Sequence, residues 1–254
     1  MKAIYRPSGK AGEYAEWACN LYVGCSNDCS YCYCKRGVLG TVMGAPIATL
    51  KKCFKGVPDA IRTFIRELNA NLDALRRSGL FFTFTSDPCL PETKALTLSC
   101  ALGATRSGVP VQLLTKRADF VDDVRTLPFE PSLLSVGFTL TGRDDLEPGA
   151  STNEERIAAM REIHDMGYRT FASLEPVVDP GRTMDMFRRT RGFCDLYKVG
   201  LQSGRPRSAY DRAEVAAMVR EMLGSGERVF LKRSLTGYLG MPAMEPVNVF
   251  DIER

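Results

Sequence analysis

Apolar and polar positions alternate along this chain in two different periods. Short runs that are apolar almost throughout predict strands buried on both faces, as in a parallel sheet. They lie at Leu21–Gly24, Leu80–Thr85, Val111–Thr115, Leu134–Leu140, Thr170–Leu174, Leu196–Leu201 and Arg228–Lys232. Between these runs the apolar period lengthens to three and four residues, which predicts amphipathic helices.

The predicted helices have clear sequence boundaries. One apolar stripe runs from Ile61 to Leu75 and stops at Ser78-Gly79. Thr152-Asn-Glu-Glu155 has the pattern of a capping box, which opens a helix that ends at Gly167. Val215, Met218, Val219 and Met222 mark another helix, ending at Gly224, and Pro91-Glu92 is expected to begin a weaker one.

A repeated strand–helix order implies right-handed crossovers and a parallel sheet. With about six such units, we expect a partial (β/α)6 barrel in one domain spanning residues 1–254. Candidate functional residues follow the strands, as they do at the carboxyl ends of barrel strands. Segment Lys35–Lys55 resembles a long loop, and either covers the site or is a plain surface connection.

Composition narrows the class of protein. The chain has 254 residues, 44% hydrophobic and 25% charged, which is typical of a globular protein with a substantial core. It contains no apolar run of membrane-spanning length and no signal-peptide core, so a cytoplasmic location is expected. Nine cysteines, an odd number, argue against a disulfide framework, and a net charge of +4 permits an anionic partner without requiring one.

Three of these cysteines are closely spaced: Cys25-Ser-Asn-Asp-Cys29-Ser-Tyr-Cys32 follows a strand-like run closed by Gly24. Cysteine thiolates are the ligands of [4Fe–4S] clusters, and three of them leave one iron open to a ligand from outside the protein. Zinc is the alternative, but zinc sites usually pair two short Cys/His clusters. The chain's one histidine, His164, lies far away in a helical pattern.

The C-x3-C-x2-C motif, with Tyr31 before its last cysteine, resembles that of the radical S-adenosylmethionine (SAM) superfamily. The resemblance implies a partial barrel whose [4Fe–4S] cluster, bound by Cys25, Cys29 and Cys32, holds SAM on its open iron. It also implies reduction by a flavodoxin- or ferredoxin-type donor and formation of a 5′-deoxyadenosyl radical.

Further stretches resemble the branch of this superfamily that contains spore photoproduct lyase. They are Gly24-Cys25 with Cys32-Tyr33, Ser86-Asp87-Pro88, Leu113-Leu-Thr-Lys116, Glu147-Pro148 followed by Arg156, and the strand leading into Glu175-Pro176. The resemblance implies that Ser86 and Asp87 bind the methionine part of SAM. Thr139 and Thr141 would meet its ribose, and Arg156 would pair with its carboxylate. Ser86 and Asp87 also suit a turn or helix cap, and Arg156 a solvated helix face.

The catalytic residues are less defined. The lyase's hydrogen-donating cysteine would precede Ser86, where this chain has Phe84-Thr85, and Cys89 is displaced from that position. Cys89 is therefore either a displaced donor or a buried apolar residue. Lys198 inside a strand needs a partner, for which Glu175 or a substrate anion is suitable; a structural ion pair is the alternative. Tyr33 is expected near the substrate.

A nucleic-acid surface is weakly indicated. Basic doublets occur at Arg76-Arg77, Lys51-Lys52, Arg188-Arg189, Arg205/Arg207 and Lys232-Arg233, and aromatic residues at Tyr31, Tyr33, Phe138 and Tyr197 are expected near the barrel mouth. Stacked aromatics with flanking cations hold flipped or single-stranded bases, although each doublet alone suits a solvated helix face.

These observations favour a radical SAM enzyme that modifies or rearranges a nucleobase, a modified pyrimidine, in DNA or a nucleotide. The alternatives are a radical SAM enzyme that modifies a peptide, protein or small molecule, and a non-catalytic Fe–S protein. The C-terminal cysteine-rich domain of many peptide-modifying members has no counterpart here, since Cys194 alone lies beyond residue 100.

Overall fold

The computed structural model describes residues 3–251 as an α/β fold around a mostly parallel sheet. The strands are β1 (Ile4–Tyr5), β2 (Ala18–Cys19), β3 (Tyr22–Val23), β4 (Thr49–Leu50), β5 (Leu80–Phe82), β6 (Val111–Thr115), β7 (Leu134–Thr139), β8 (Arg169–Val177), β9 (Leu196–Leu201) and β10 (Val229–Leu231). The helices are α1 (Gly37–Met43), α2 (Val57–Ala70), α3 (Leu72–Ser78), α4 (Lys94–Arg106), α5 (Val121–Thr126), α6 (Asn153–Asp165), α7 (Pro180–Thr190), α8 (Arg212–Leu223) and α9 (Arg233–Leu239).

The larger sheet has the order β1-β2-β5-β6-β7-β8-β9-β10. Strands β2 and β5 to β10 pair in parallel, and β1 adds one antiparallel edge. Helices connect successive strands from β5 onward, which is the strand–helix repeat of a partial barrel. The expected partial barrel is therefore confirmed.

The two faces of the sheet carry different residues because side chains alternate along each strand. Odd positions of β8, namely Phe171, Ser173 and Glu175, share one face with Lys198 and Gly200 of β9. The larger apolar core lies on the other face and under the helices, where α2 packs Phe64 against Phe82. A smaller core, which includes Phe81 and Phe171, lies on the first face together with the C-terminal segment.

The first predicted strand, Leu21–Gly24, is placed wrongly. The sheet strand is Ala18–Cys19, while Tyr22–Val23 pairs antiparallel with β4 in a separate two-stranded sheet. Asn20 explains the break, since its side-chain oxygen accepts a hydrogen bond from the Phe84 amide at 2.8 Å and its amide nitrogen donates to Tyr5 at 2.8 Å. A side chain thus replaces the backbone ladder at this point.

The helix predictions hold with two changes. The α6 capping box is present, and α8 ends at Gly224 as predicted. The stripe from Ile61 to Leu75 is divided between α2 and α3 at Asn71, and the helix expected from Pro91 starts at Lys94. Segment Lys35–Lys55 contains α1 and β4, and is not wholly a loop.

Within residues 3–251 no helix is both long enough and apolar enough to cross a membrane.

The close contact between β7 and β8 predicts how a substitution at Gly137 changes the free energy of unfolding. Gly137 lies opposite Phe171, and a Cβ atom on Gly137 would approach the Phe171 ring to 2.3 Å. Gly137→Ala should therefore lower the free energy of unfolding by about 1–3 kcal/mol through overpacking. Gly103→Ala is the matched control, because a Cβ atom there meets nothing within 4 Å on helix α4 and should stabilise by about 0.5–1 kcal/mol. Urea unfolding of both variants tests this, and equal effects would contradict it.

Candidate active site

A cavity of about 440 Å³ opens at the carboxyl ends of the strands. Its lining includes Cys25, Cys29 and Cys32, together with residues that follow β5, β6 and β7. The same lining also contains Tyr14, Ser173, Glu175 and Lys232. The predicted cluster thiols and several predicted substrate-side residues therefore share one chamber.

The cysteine loop is fixed mainly by a buried carboxylate, Asp87. Its Oδ2 accepts hydrogen bonds from Asn27 Nδ2 and the Lys116 amide, both at 2.8 Å. Its Oδ1 accepts from Thr115 Oγ1 at 2.6 Å and from the Cys89 amide at 2.9 Å. Each oxygen of Asp87 therefore accepts two hydrogen bonds. Through them the carboxylate joins the cysteine loop to the ends of β5 and β6.

A second buried carboxylate, Glu147, supports the same loop from the other side. Arg156 Nη2 donates to Glu147 Oε2 at 2.5 Å, and both side chains are fully buried. Thr141 Oγ1 donates to the same oxygen at 3.1 Å, and Tyr31 hydrogen-bonds to Glu147 Oε1. Backbone bonds Ser30 N to Leu146 O and Gly149 N to Asn27 O complete the contact.

The predicted SAM contacts divide into two groups. Tyr31, Ser86, Asp87 and Thr139 line the cavity, whereas the side chains of Thr141 and Arg156 are buried behind it. Arg156 also donates to the Thr139 carbonyl at 2.6 Å, so a contact with a SAM carboxylate would require breaking an existing buried pair. The solvated-face alternative for Arg156 is excluded by its complete burial.

Two polar atoms near the thiols lack partners within the described residues. Ser86 Oγ and Asn27 Oδ1 are buried without a hydrogen bond. Buried polar groups are normally satisfied, so such atoms in a cavity wall indicate a missing ligand. Ser86 is therefore available to a ligand, while Asp87 beside it is already committed to the protein.

Lys116 supplies a cation that the sequence prediction did not assign. It lines the cavity and lies 5.7 Å from the Tyr31 ring centroid. Burial alone would lower the pKa of Lys116, but the charges of Cys29, Glu147 and Asp87 outweigh it and the pKa is raised. Its place directly after β6 was the available signal, since that is where barrel sites collect.

The pKa values of the three motif thiols differ. Burial and the charge of Asp87 raise the pKa of Cys25 to about 12, and burial raises that of Cys29. A hydrogen bond from Cys34 lowers the pKa of Cys32 to about 6. Within residues 3–251, no three His, Cys, Asp or Glu side chains are close enough together to bind one metal ion. Cluster cysteines each bind a separate iron, so three thiols spread around one cavity fit a cube.

The predicted catalytic residues are also divided. Tyr33 and Glu175 line the cavity, and the Tyr33 hydroxyl hydrogen-bonds to the Phe84 carbonyl. Cys89 is buried and does not line the cavity, and its pKa lies well above the usual value because of burial. Its catalytic role stays a prediction without support from its position.

Lys198 and Glu175 are not each other's partner. Lys198 is completely buried, donates to the Tyr14 carbonyl at 2.9 Å and lies outside the cavity lining. Burial, reinforced by the charge of Lys232, lowers the pKa of Lys198 to about 7. Glu175 instead pairs with Lys232, at 2.6 Å. Lys232 directly follows β10 and lies two positions after Phe230. Period-two alternation, continued one residue beyond β10, could have indicated that the Lys232 side chain lies on the same face as Phe230.

The expected nucleic-acid surface is only partly assembled. Phe138 and Tyr197 are buried in the core beneath α5 and α7, packed on Phe120 and Phe187, and are not at the mouth. Arg188 and Arg189 pair with Glu221 and Glu154. Arg205 donates to backbone carbonyls and lies 4.6 Å from the Tyr210 ring. Of the predicted basic doublets, Lys232 lines the cavity, and the other lysines in its lining are Lys10, Lys35 and Lys116.

Comparison with known proteins identifies the family. Residues 19–194, more than half of the chain, match the Radical SAM superfamily. An uncharacterized protein of Methanocaldococcus jannaschii is 25% identical over 174 residues, covering 65% of this chain and 61% of that protein. The chain thus spans less than two thirds of this relative.

Solved structures agree on the fold. Spore photoproduct lyase complexed with a dinucleoside spore photoproduct matches with a TM-score of 0.59 at 18% identity, over 88% of this chain and 64% of that one. Streptococcus suis SuiB bound to S-adenosylmethionine matches with a TM-score of 0.54 at 11% identity, over 86% and 51%. The chain belongs to the radical SAM superfamily, whose enzymes use a [4Fe–4S] cluster and SAM.

We predict that Cys25, Cys29 and Cys32 alone hold the cluster. After anaerobic reconstitution the wild-type chain should bind about four irons and four sulfides. Alanine at any of the three positions should remove most of the iron and the visible absorption, because a three-thiolate site has no spare ligand. Cys34→Ser is the matched control, since Cys34 lines the same cavity outside the motif. Loss of iron in that control with retention in Cys29→Ala would refute the assignment.

We predict different roles for the neighbouring residues Ser86 and Asp87: Ser86 contacts SAM, and Asp87 stabilises the fold. Asp87→Asn turns one acceptor oxygen into a donor that faces existing donors, so the free energy of unfolding should fall by about 2–4 kcal/mol. Ser86→Ala breaks no hydrogen bond in the described structure, so its stability should be unchanged while its affinity for SAM falls several-fold.

Urea unfolding and SAM binding to the reconstituted protein measure the two effects, with exposed Ser132→Ala as the control. Equal stability of Asp87→Asn and the wild-type protein would contradict the structural role of Asp87.

Proposed function

We propose that this radical SAM enzyme abstracts hydrogen from a pyrimidine nucleobase, already modified, in DNA or a nucleotide. The observation that carries the proposal is the shared cavity, whose lining combines the cluster thiols with aromatic and polar side chains. The neighbouring structure of spore photoproduct lyase with a dinucleoside spore photoproduct supports a base-containing substrate.

The residues present fit the cofactors of the family. Three cavity thiols are the donor set of an open cluster, and Ser86 Oγ and Asn27 Oδ1 are unsatisfied acceptors beside them. When bound and reduced by a flavodoxin- or ferredoxin-type protein, the cluster supplies the electron that cleaves SAM to methionine and a 5′-deoxyadenosyl radical.

The protein's own residues orient SAM. Ser86 and Asn27 are suited to accept hydrogen bonds from the SAM amino group. Lys116 is suited to its carboxylate, because it remains charged in the cavity wall and makes no hydrogen bond to another side chain within the described residues. Thr139, at the end of β7, is suited to the ribose. Arg156 then acts behind the cavity by fixing Glu147 and the cysteine loop.

The substrate end of the cavity suits a planar, polar ring. Phe84 and Leu114 provide apolar walls, and Tyr33 lies at the entrance with 45% of its surface exposed. Lys10 and Lys35 on the rim are suited to phosphate groups. Aromatic stacking with nearby cations is the usual way of holding an unstacked base.

The position of Cys89 supports a reaction other than lesion splitting. A hydrogen-donating thiol must reach the substrate radical, and Cys89 is buried outside the cavity. Rearrangement or functionalisation of the base needs no such donor at this position. Cys34 and Tyr33 line the cavity and are the remaining candidates for hydrogen return.

Anaerobic turnover tests the proposal. The reconstituted protein should form 5′-deoxyadenosine from SAM and dithionite, and pyrimidine nucleotides or DNA should accelerate this and change in mass. Lys10→Glu should weaken DNA binding without changing SAM cleavage in the absence of substrate, and Arg188→Glu is the control away from the cavity. DNA affinity should fall steeply as salt rises.

No affinity for DNA or nucleotides at low salt, with no effect of either on 5′-deoxyadenosine formation, would exclude a nucleobase substrate. Peptides and small molecules would then be the substrates to screen.

A further inference from the structure

Glu175 and Lys232 form a hydrogen-bonding pair in the lining of the cavity that also contains the thiols. Glu175 Oε2 accepts from Lys232 Nζ at 2.6 Å and from Tyr14 OH at 2.8 Å. Tyr14 OH is also 2.6 Å from Ser173 Oγ. The contacts of Glu175 therefore all involve Oε2, and they fix the orientation of Oε1.

The second oxygen, Glu175 Oε1, has no hydrogen-bond partner within residues 3–251, although Glu175 lines the cavity. Gly200 lets this pair approach strand β9 closely: a Cβ atom there would lie 2.9 Å from Oε1 and 3.1 Å from Lys232 Cδ, so a side chain at this position would displace the pair. An acceptor and a donor thus stand side by side at the cavity wall, next to a position that has no side chain.

Charge balance excludes an anionic ligand at this point. Lys232 also lies 3.9 Å from Glu13, and Lys198 is buried beneath the same tyrosine, 5.2 Å from its ring centroid. Two carboxylates therefore face two amines, one of which has a pKa lowered to about 7. No surplus positive charge is left for a phosphate or carboxylate, so a neutral polar group is the best fit.

We propose that Glu175 and Lys232 recognise the –NH–C(=O)– edge of a thymine- or uracil-type ring, with Glu175 Oε1 accepting from N3–H and Lys232 donating to a ring carbonyl. This rests on the proposed function and narrows its substrate to imide-bearing pyrimidines. Phe84 and Leu114, which line the same cavity, would cover the faces of the ring.

The test uses thymidine, N3-methylthymidine and deoxycytidine as probes of the reconstituted protein with SAM and without reductant. Binding is measured by saturation-transfer NMR titration. Wild-type protein should bind thymidine at least tenfold more tightly than N3-methylthymidine, because methylation removes the donor for Glu175. This comparison needs no variant, so misfolding cannot produce it.

Glu175→Gln gives an independent test. The oxygen of the new amide should stay with Tyr14 and Lys232, which places its NH2 group at the former Oε1 position. That donor opposes N3–H of thymine but suits the N3 acceptor of cytosine, so the preference should shift at least tenfold toward deoxycytidine. Glu214→Gln, at an exposed position on α8, should leave the preference unchanged.

The outcomes separate the two proposals. Thymidine binding that is insensitive to N3 methylation and to Glu175→Gln overturns the recognition pair while leaving a nucleobase substrate in place. Absence of binding by all three nucleosides, in a protein that still binds SAM, overturns the recognition pair, whereas the nucleobase proposal falls only if DNA and nucleotides also fail in the turnover experiment. A shift of preference in Glu175→Gln supports the pair, because loss of folding cannot create new affinity.

Discussion

The buried carboxylate of Asp87 is the interaction on which this site depends. Four donors from the cysteine loop, the β5 loop and the end of β6 converge on its two oxygens. An ionised group with low exposure is costly unless it is fully hydrogen-bonded, and here the donors leave it satisfied. Because those donors come from separate segments, the loop that carries the thiols has a defined position against the sheet.

Glu147 repeats this arrangement on the other side of the loop. The Glu147–Arg156 pair is completely buried, and Tyr31 links it to the residue before Cys32. Removal of either partner would leave an uncompensated buried charge, which typically costs about 3–5 kcal/mol. The loop is therefore held between two satisfied carboxylates, and its own sequence supplies mainly the thiols and Asn27.

The fold was largely predictable because buried parallel strands and amphipathic helices leave simple periodic patterns. The errors occur where a single side chain overrides the pattern, as Asn20 does by ending β2. The site was predictable in position but only partly in roles. Cysteine spacing identifies a ligand set, but nothing in the sequence shows that Asp87 and Arg156 bond to protein while Ser86 and Lys116 face the cavity. Tyr14 lies in an irregular segment, where no periodicity indicates its direction.

The charged groups that line the cavity differ in how fully they are paired. Among the charged side chains that line it in the described structure, Lys10, Lys35, Asp87, Glu175 and Lys232 all bond to other protein groups. Lys116 makes no such bond but lies close to the charges of Cys29, Glu147 and Asp87, and Glu175 keeps one acceptor oxygen without a partner. A cation that makes no hydrogen bond to a side chain suits an anionic group, whereas a carboxylate oxygen beside an already paired amine suits a neutral donor. Under the proposed function, this difference would direct the carboxylate of SAM to Lys116 and a neutral donor of the substrate to Glu175.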